Sequence, residues 1–249
     1  MPADFTARPL HNKTVWLTGA SRGIGRATAI ELAKAGANVV LGARSIEQTE
    51  QVAEAIRANG GAAEAHVLDV ASWESCQAFA REAIERHGNP SILVNSAGIG
   101  TFRPVDKFLD DEFEQQFRVN VFGTYYMTRL ALAGMKQLGD GHIVNVSSLA
   151  GENEAPMGTG YFASKHAVNG FTKCLLQDVR GDGIRVTLVC PGSVDTRFHI
   201  DSHPGMHERD QTWMVPAAQI ARSILHVLTA PAGTDISKID VRPLAKPKK

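Results

Sequence analysis

Tyr161 and Lys165 stand four residues apart, Ser148 lies thirteen residues before the tyrosine, and far upstream runs the turn Thr18-Gly19-Ala20-Ser21-Arg22-Gly23-Ile24-Gly25. A phenol that can exchange a proton, a cation beside it and a turn able to hold a pyrophosphate are parts suited to hydride transfer. A phenol alone is a poor proton shuttle near neutral pH, because its unperturbed pKa is about 10, and a neighbouring ammonium stabilises the phenolate. Residues 161–170 read as the start of a helix, which would put Tyr161 and Lys165 on one face. Lys165 is therefore expected to lower the pKa of Tyr161.

The turn has the context that phosphate binding needs. A β-rich run, Thr14 to Thr18, leads into it, and a helical pattern from Arg26 to Ala35 follows and stops near Gly36. Glycines let the backbone turn sharply against a pyrophosphate, and the free N–H groups and dipole of a helix N-terminus favour negative charge. Gly19, Ser21, Arg22, Gly23, Ile24 and Gly25 are thus the candidate dinucleotide cradle. The spacing is Gly-x3-Gly-x-Gly, which differs from the Gly-x-Gly-x-x-Gly of two-domain dehydrogenases. At the end of the second candidate strand, Leu41-Gly42-Ala43-Arg44-Ser45 offers no carboxylate for adenosine ribose hydroxyls. Arg44, with Arg22, could instead flank a 2′-phosphate, so NADP(H) is expected in preference to NAD(H).

These groups must be positioned by a scaffold, and the rest of the chain describes one. Short β-rich runs alternate with longer helical stretches, the mark of an α/β domain built on a parallel sheet covered on both faces. Seven strands are predicted: Thr14–Thr18, Asn38–Leu41, Ala65–Leu68, Ile92–Asn95, His142–Val146, Arg185–Val189 and Lys238–Val241. After the second, Ser45 and Gln48 make a Ser-x-x-Gln capping box, and Asn59-Gly60-Gly61 supplies the stop. A length of 249 residues suits a single domain. Its expected span is 13–244, with residues 1–12 and the basic stretch 245–249 as tails.

Composition narrows the functions. Lys and Arg total 26, as do Asp and Glu, so the formal charge is zero and nucleic acid or an anionic membrane surface is not an expected partner. No run has the length of a membrane span and residues 1–12 lack the apolar core of a secretory signal. A soluble, cytoplasmic protein is expected. Cys76, Cys174 and Cys190 are widely spaced and read as free thiols.

Taken together the motifs resemble the short-chain dehydrogenase/reductase family, over nearly the whole chain. Thr18 to Gly25 is similar to its TGxxxGxG turn, Asn95-Ser96-Ala97-Gly98 to its NNAG, and Asn120 to its active-site asparagine. Ser148 is similar to its serine, Tyr161 and Lys165 to its YxxxK, and Pro191-Gly192 to its PG. Ser96 departs from the family pattern, standing where a second asparagine is usual. The resemblance implies a Rossmann-type, doubly wound seven-stranded sheet in the order 3-2-1-4-5-6-7. It also implies that Tyr161 protonates a substrate carbonyl, that Ser148 bonds the same oxygen, and that Lys165 holds the nicotinamide ribose. Asn120 would position Lys165 through a water. Asp69 and Val70 would meet the adenine, Asn95, Ala97 and Gly98 would line the cofactor channel, and Pro191, Gly192, Val194 and Thr196 would meet the nicotinamide end. A homotetramer or homodimer is implied as well, packed through the long helix expected from about Asp111 to Leu138.

The substrate is less legible. The segment 193–216 has the length of an active-site lid. Its Phe198, Met206, Trp213 and Met214 could form an apolar wall with Phe102 and Met157, beside the oxygen-binding Ser148 and Tyr161. Glu152 and Glu154 would discourage an anionic substrate if they faced inward. His199, His203 and His207 recur every four residues, but Pro204 and Gly205 interrupt any helix there, and no metal is expected. The ending Val241-Arg242-Pro243 looks more like small-carbonyl and hydroxy-acid reductases than like 3-oxoacyl thioester (acyl-carrier-protein) reductases. The expected activity is therefore an NADP-dependent interconversion of a ketone, aldehyde or β-keto acid with its alcohol. The acyl thioester reductase is the alternative. A lyase or epimerase is disfavoured by the chain's length, and a noncatalytic NADP(H) sensor by the presence of Asn120, Ser148, Tyr161 and Lys165.

Overall fold

The computed structural model describes residues 8–202, 212–231 and 233–244. Its central sheet has seven parallel strands: β1 (Thr14–Thr18), β2 (Asn38–Ala43), β3 (Ala62–Val67), β4 (Ile92–Asn95), β5 (Gly141–Val146), β6 (Ile184–Pro191) and β9 (Lys238–Val241). They lie in the order β3-β2-β1-β4-β5-β6-β9. This is the predicted order. A separate pair, β7 (Val194–Asp195) and β8 (Val215–Pro216), closes the base of the segment that the sequence leaves without structure.

Alternate residues of each strand face opposite layers, and both layers are covered by helices, so the strands read as nearly unbroken apolar runs. Val15 and Leu17 of β1, Val39 and Leu41 of β2, and Val94 of β4 pack with α1 (Gly23–Lys34), α2 (Ile46–Ala58) and α8 (Ala217–Leu228). Trp16, Val40, Leu93 and Ile143 enter the other layer, against α3 (Trp73–His87), α5 (Gly123–Leu138) and α6 (Thr159–Val179). The α2 start follows the first half of the capping reading, with Ser45 Oγ accepting from Gln48 N. Residues just before β1 also join the core: Leu10 is buried and its N–H donates to Ala35 O at 3.0 Å.

The helix expected over 111–138 has an interruption with consequences. It runs as α4 (Glu112–Phe117), a π turn over Arg118–Phe122, and α5. The wider turn accommodates one more residue per hydrogen-bonded ring, a local distortion that often marks functional positions. Asn120 sits in it and is buried.

One core group makes the fold acid-sensitive. His142 on β5 is buried, with Nε2 2.8 Å from Thr187 Oγ1 and Nδ1 without a hydrogen bond. Desolvation, helped by Arg185 and opposed by Asp140, pushes its pKa down to about 3. The unfolded chain, with histidine near 6.5, takes up this proton first, so the stability is present above pH 6.5 and lost as pH falls towards 3. The slope is about 1.4 kcal/mol per pH unit for this group. Urea unfolding at pH 6.5 and pH 5 is expected to show a loss of roughly 2 kcal/mol that His142→Gln largely removes; equal losses in both proteins would refute it.

Candidate active site

The strand order reverses between β1 and β4, and a crevice opens at their carboxyl ends, where such folds bind ligands. Gly19 closes this crevice tightly. It has φ +69°, and a Cβ built on it would lie 2.8 Å from both N and Cα of Ala97. Gly23 has φ +55°, and a Cβ on Gly25 would collide with Gly19 O. Thr18 Oγ1 accepts from Ser96 N at 3.1 Å and Ala97 N at 3.0 Å, pinning the two turns together. These bonds use the Ser96 backbone, so the departure from asparagine leaves them intact.

From this turn a continuous cavity of about 1640 Å³ runs across the sheet ends. Gly19, Ser21, Arg22, Gly23, Ile24, Gly25 and Arg44 line one end, with Asp69 and Val70 beyond β3. Ala97 and Gly98 line its middle, and Ser148, Tyr161, Lys165, Pro191, Gly192, Val194 and Thr196 its far end. Phe102, Phe198 and Trp213 also face it. Its size exceeds the few hundred to about 1,000 Å³ of ordinary small-ligand pockets. It has room for an extended dinucleotide and a second molecule.

Of the residues expected along the channel and its apolar wall, three that the structure describes do not line the cavity: Asn95, Met157 and Met214. Asn95 is buried between strands and helix, its Nδ2 donating to Asn145 Oδ1 at 2.9 Å and Thr128 Oγ1 at 3.2 Å, while Asn145 Nδ2 donates to Thr172 Oγ1. It braces the sheet that carries Ala97 and Gly98. Met157 is 49% exposed with φ +64° and does not join the apolar wall. Its carbonyl instead accepts from Arg103 N. Phe162 takes that place, a contact concealed in the sequence because it adjoins Tyr161 on the same helix. Met206, His203 and His207 lie outside the described residues.

At the far end, α6 delivers Tyr161 and Lys165 from one face, as their spacing requires. Lys165 is buried and its Nζ donates to Val146 O at 3.1 Å, 5.8 Å from the centre of the Tyr161 ring. Ser148 caps the short turn Leu149–Gly151, accepting from Ala150 N at 3.1 Å and donating to Pro191 O at 3.4 Å. Ser147 and Asn169, absent from the sequence-based set, support this turn: Ser147 Oγ donates to Asn169 Oδ1 at 2.5 Å, and Asn169 Nδ2 to Gly151 O at 3.0 Å. Asn120 uses its π-turn position to grip Ile99 from both sides, accepting from its N and donating to its O at 2.9 Å. It also donates to Ser164 Oγ, beside Lys165. A Cβ on Gly98 would stand 3.4 Å from Asn120 Oδ1 and 3.6 Å from Lys165 Nζ, so both groups face the same small space.

The electrostatics correct one expectation. Burial pushes the Tyr161 phenol up to about 12, with the Ser148 hydrogen bond pulling partly back, and burial brings Lys165 down to about 8. Desolvation therefore outweighs the expected lowering by Lys165, whose ammonium is turned to the Val146 carbonyl. Tyr161 is a protonated phenol across the neutral range. Its ring is flanked by Phe102, with centroids 5.3 Å apart, and Phe198, at 5.4 Å. Glu152 pairs with Lys238 at 2.7 Å and turns from the cavity, whereas Glu154 lines it.

Residues 13–206 match the family model described as short chain dehydrogenase. The chain belongs to the short-chain dehydrogenase family. It is an oxidoreductase of that family. It is 39% identical over 187 residues to a 3-oxoacyl-acyl-carrier-protein reductase of Pseudomonas aeruginosa, covering 75% of this chain and 76% of that protein. Among solved structures, an alcohol dehydrogenase from the archaeon Thermococcus sibiricus, complexed with 5-hydroxy-NADP, superposes with a TM-score of 0.86. It is 30% identical, and the match covers 95% of this chain and 99% of that one. A metagenomic short-chain oxidoreductase in complex with NADP gives 0.82 at 34% identity, covering 96% and 100% of the two chains. Among the described residues, no helix of this dehydrogenase is long and apolar enough to cross a membrane.

Proposed function

We propose that the chain is an NADP(H)-dependent reductase that interconverts a ketone, aldehyde or β-keto acid with its alcohol. The observation that carries this reading is the placement of Tyr161, Ser148 and Lys165 in the same cavity as the glycine turn and Arg44. The site fits a dinucleotide, since the Cβ-free surfaces of Gly19 and Gly25 leave backbone where a pyrophosphate would approach. Gly19, Ser21, Arg22, Gly23, Ile24 and Gly25 would hold the phosphates, Arg44 the 2′-phosphate, and Asp69 and Val70 the adenine. Lys165, Pro191, Gly192, Val194 and Thr196 would hold the opposite end. When bound, the nicotinamide supplies or accepts the hydride.

The chain's own groups do the rest. Tyr161 gives its hydroxyl proton to the carbonyl oxygen, and Ser148 bonds that oxygen as negative charge develops on it. Asn120 and Lys165, facing the space beside Gly98, are suited to hold a water that returns the proton to Tyr161. Phe102, Phe162, Phe198 and Trp213 exclude water and favour a substrate with apolar bulk. The segment 193–216 acts as the lid of the domain expected over 13–244, to whose core Leu10 also belongs, a reading supported by the β7–β8 pair and by Phe198 against Tyr161.

Following nicotinamide absorbance with NADPH and NADH against ketones, aldehydes, β-keto acids and acyl thioesters tests the reading. Turnover of the first three with NADPH is expected, with the anionic β-keto acids the slowest of them because Glu154 lines the cavity. Preference for acyl thioesters would select the alternative that the Pseudomonas relative suggests, and tight NADPH binding with no oxidation would select a sensor. A cytoplasmic homotetramer or homodimer completes the proposal. It is supported by Phe113, Phe122 and Tyr125, which stand 40–48% exposed along α4, the π turn and α5; a monomeric mass in solution would refute it.

A further inference from the structure

Away from the cavity, at the outer edge of the sheet, Glu64 and His66 project from the same side of β3 towards His87, the last residue of α3. One donor atom from each of the three lies within 4.8 Å of the others. His87 Nε2 is 2.9 Å from Glu64 Oε2, and His66 Nε2 is 3.2 Å from Glu64 Oε1. His66 is only 5% exposed, and its Nε2 is buried without making a hydrogen bond, since the nearby carboxylate oxygen lacks the geometry for one. A buried, unsatisfied imidazole nitrogen is costly, and here it is aimed at a second imidazole and a carboxylate.

We infer that Glu64, His66 and His87 form a binding site for a divalent transition-metal cation of the zinc class. Two imidazoles and one carboxylate are the donors that such borderline cations take, with a fourth position left for water. Zinc bonds of about 2.0–2.2 Å set tetrahedral ligands roughly 3.3 Å apart, and both imidazole–carboxylate separations are already close to that. These separations are to different carboxylate oxygens, Oε1 for His66 and Oε2 for His87, so ligation through Oε2 alone needs the carboxylate to turn as well as the two imidazoles to draw together.

The surroundings have the form of an outer shell. His66 Nδ1 faces Glu82 Oε2 at 3.2 Å, which fixes the proton on Nδ1 and leaves Nε2 free to ligate. The amide of Asn38 is 3.1 Å from His87 Nδ1 and can do the same with its oxygen turned inward. Arg86 bonds Glu64 Oε1 at 2.7 Å, but it is 62% exposed and leaves Oε2 for the cation. The cation would tie the end of α3 to the edge strand. None of the three ligands lines the cavity, so the site is independent of the proposed reaction. Sequence periodicity cannot expose it, because it joins two alternate residues of a strand to the end of the following helix.

The test is a titration of the chelator-stripped full chain with Zn2+ alone, by calorimetry and thermal unfolding. One Zn2+ per chain is expected, with a dissociation constant below about 10 µM and a midpoint temperature that rises with its concentration. Glu64→Gln and His87→Gln, both at partly exposed positions, are expected to weaken binding at least tenfold and to abolish the temperature shift while keeping oxidoreductase activity. No binding at 0.1 mM Zn2+, or equal binding in both variants, would overturn the assignment; the latter would move the cation to other groups, such as the histidines of the lid. Co2+ added to the unsubstituted chain keeps the test readable should a variant unfold. A strong visible absorption supports a four-coordinate nitrogen and oxygen site, and only the weak spectrum of six-coordinate Co2+ counts against it.

Discussion

Tyr161→Phe is expected to lower kcat for carbonyl reduction by about 10²–10⁴, the usual contribution of a positioned general acid, while leaving the dissociation constant for NADPH nearly unchanged. The substitution removes one oxygen and keeps the ring, so the contacts with Phe102 and Phe198 survive and the loss reports the proton rather than the packing. Stopped-flow binding and steady-state turnover separate the two. The intact enzyme also carries a directional signature. With the phenol pushed up to about 12, Tyr161 keeps its proton at neutral pH and is ready to donate it. Alcohol oxidation needs the deprotonated form, so its rate is expected to climb steadily with pH through the neutral and mildly alkaline range. Reduction is expected to stay flat over the neutral range and to change only as Lys165, brought down to about 8, loses its proton. An oxidation rate that levels off near pH 7 would mean that the phenol is lowered in the working complex, and loss of NADPH affinity in Tyr161→Phe would make the hydroxyl a binding group.

Much of this site is legible in the sequence because its chemistry depends on short-range spacing. Tyr161 and Lys165 meet through one helical turn, and the glycines of the turn are demanded by backbone that any Cβ would obstruct. The strands are legible for a related reason: burial on both faces of a parallel sheet leaves apolar runs such as Ile92-Leu93-Val94 of β4, all buried. What stays hidden depends on contacts between distant segments. Asn95 looks like a channel residue, but its amide is used by Asn145 and Thr128, fifty and thirty-three residues away. The π turn at Asn120 leaves the helical pattern uninterrupted on either side. The rise in the Tyr161 pKa follows from its burial, which a one-turn pairing with Lys165 does not reveal. Met157 is an apolar candidate by composition, but it has a left-handed backbone and stands exposed.

Cofactor choice is where a single side chain is expected to act most selectively. Arg44→Ala should raise the KM for NADPH roughly 10- to 100-fold, the value of one hydrogen bond to a charged group at about 1.5–3 kcal/mol, and should leave kcat/KM for NADH within about twofold. Arg44 stands exposed at the mouth of the cavity, at the end of β2. Arg22 is differently placed. Its Nη1 pairs with Asp201 Oδ2 at 2.5 Å, on α7 (Phe198–Ser202), so it would have to divide its charge between the lid and a 2′-phosphate. Arg22→Ala should therefore cost less NADPH affinity than Arg44→Ala, and Asp201→Asn should increase that affinity by freeing Arg22. Going further, Arg44→Asp would offer a carboxylate to the ribose hydroxyls and repel a phosphate, and should turn the preference towards NADH. Equal losses with NADPH and NADH in Arg44→Ala would show that Arg44 serves the shared part of the cofactor or the fold, and a preference of the unsubstituted enzyme for NADH would remove the basis for assigning either arginine to a 2′-phosphate.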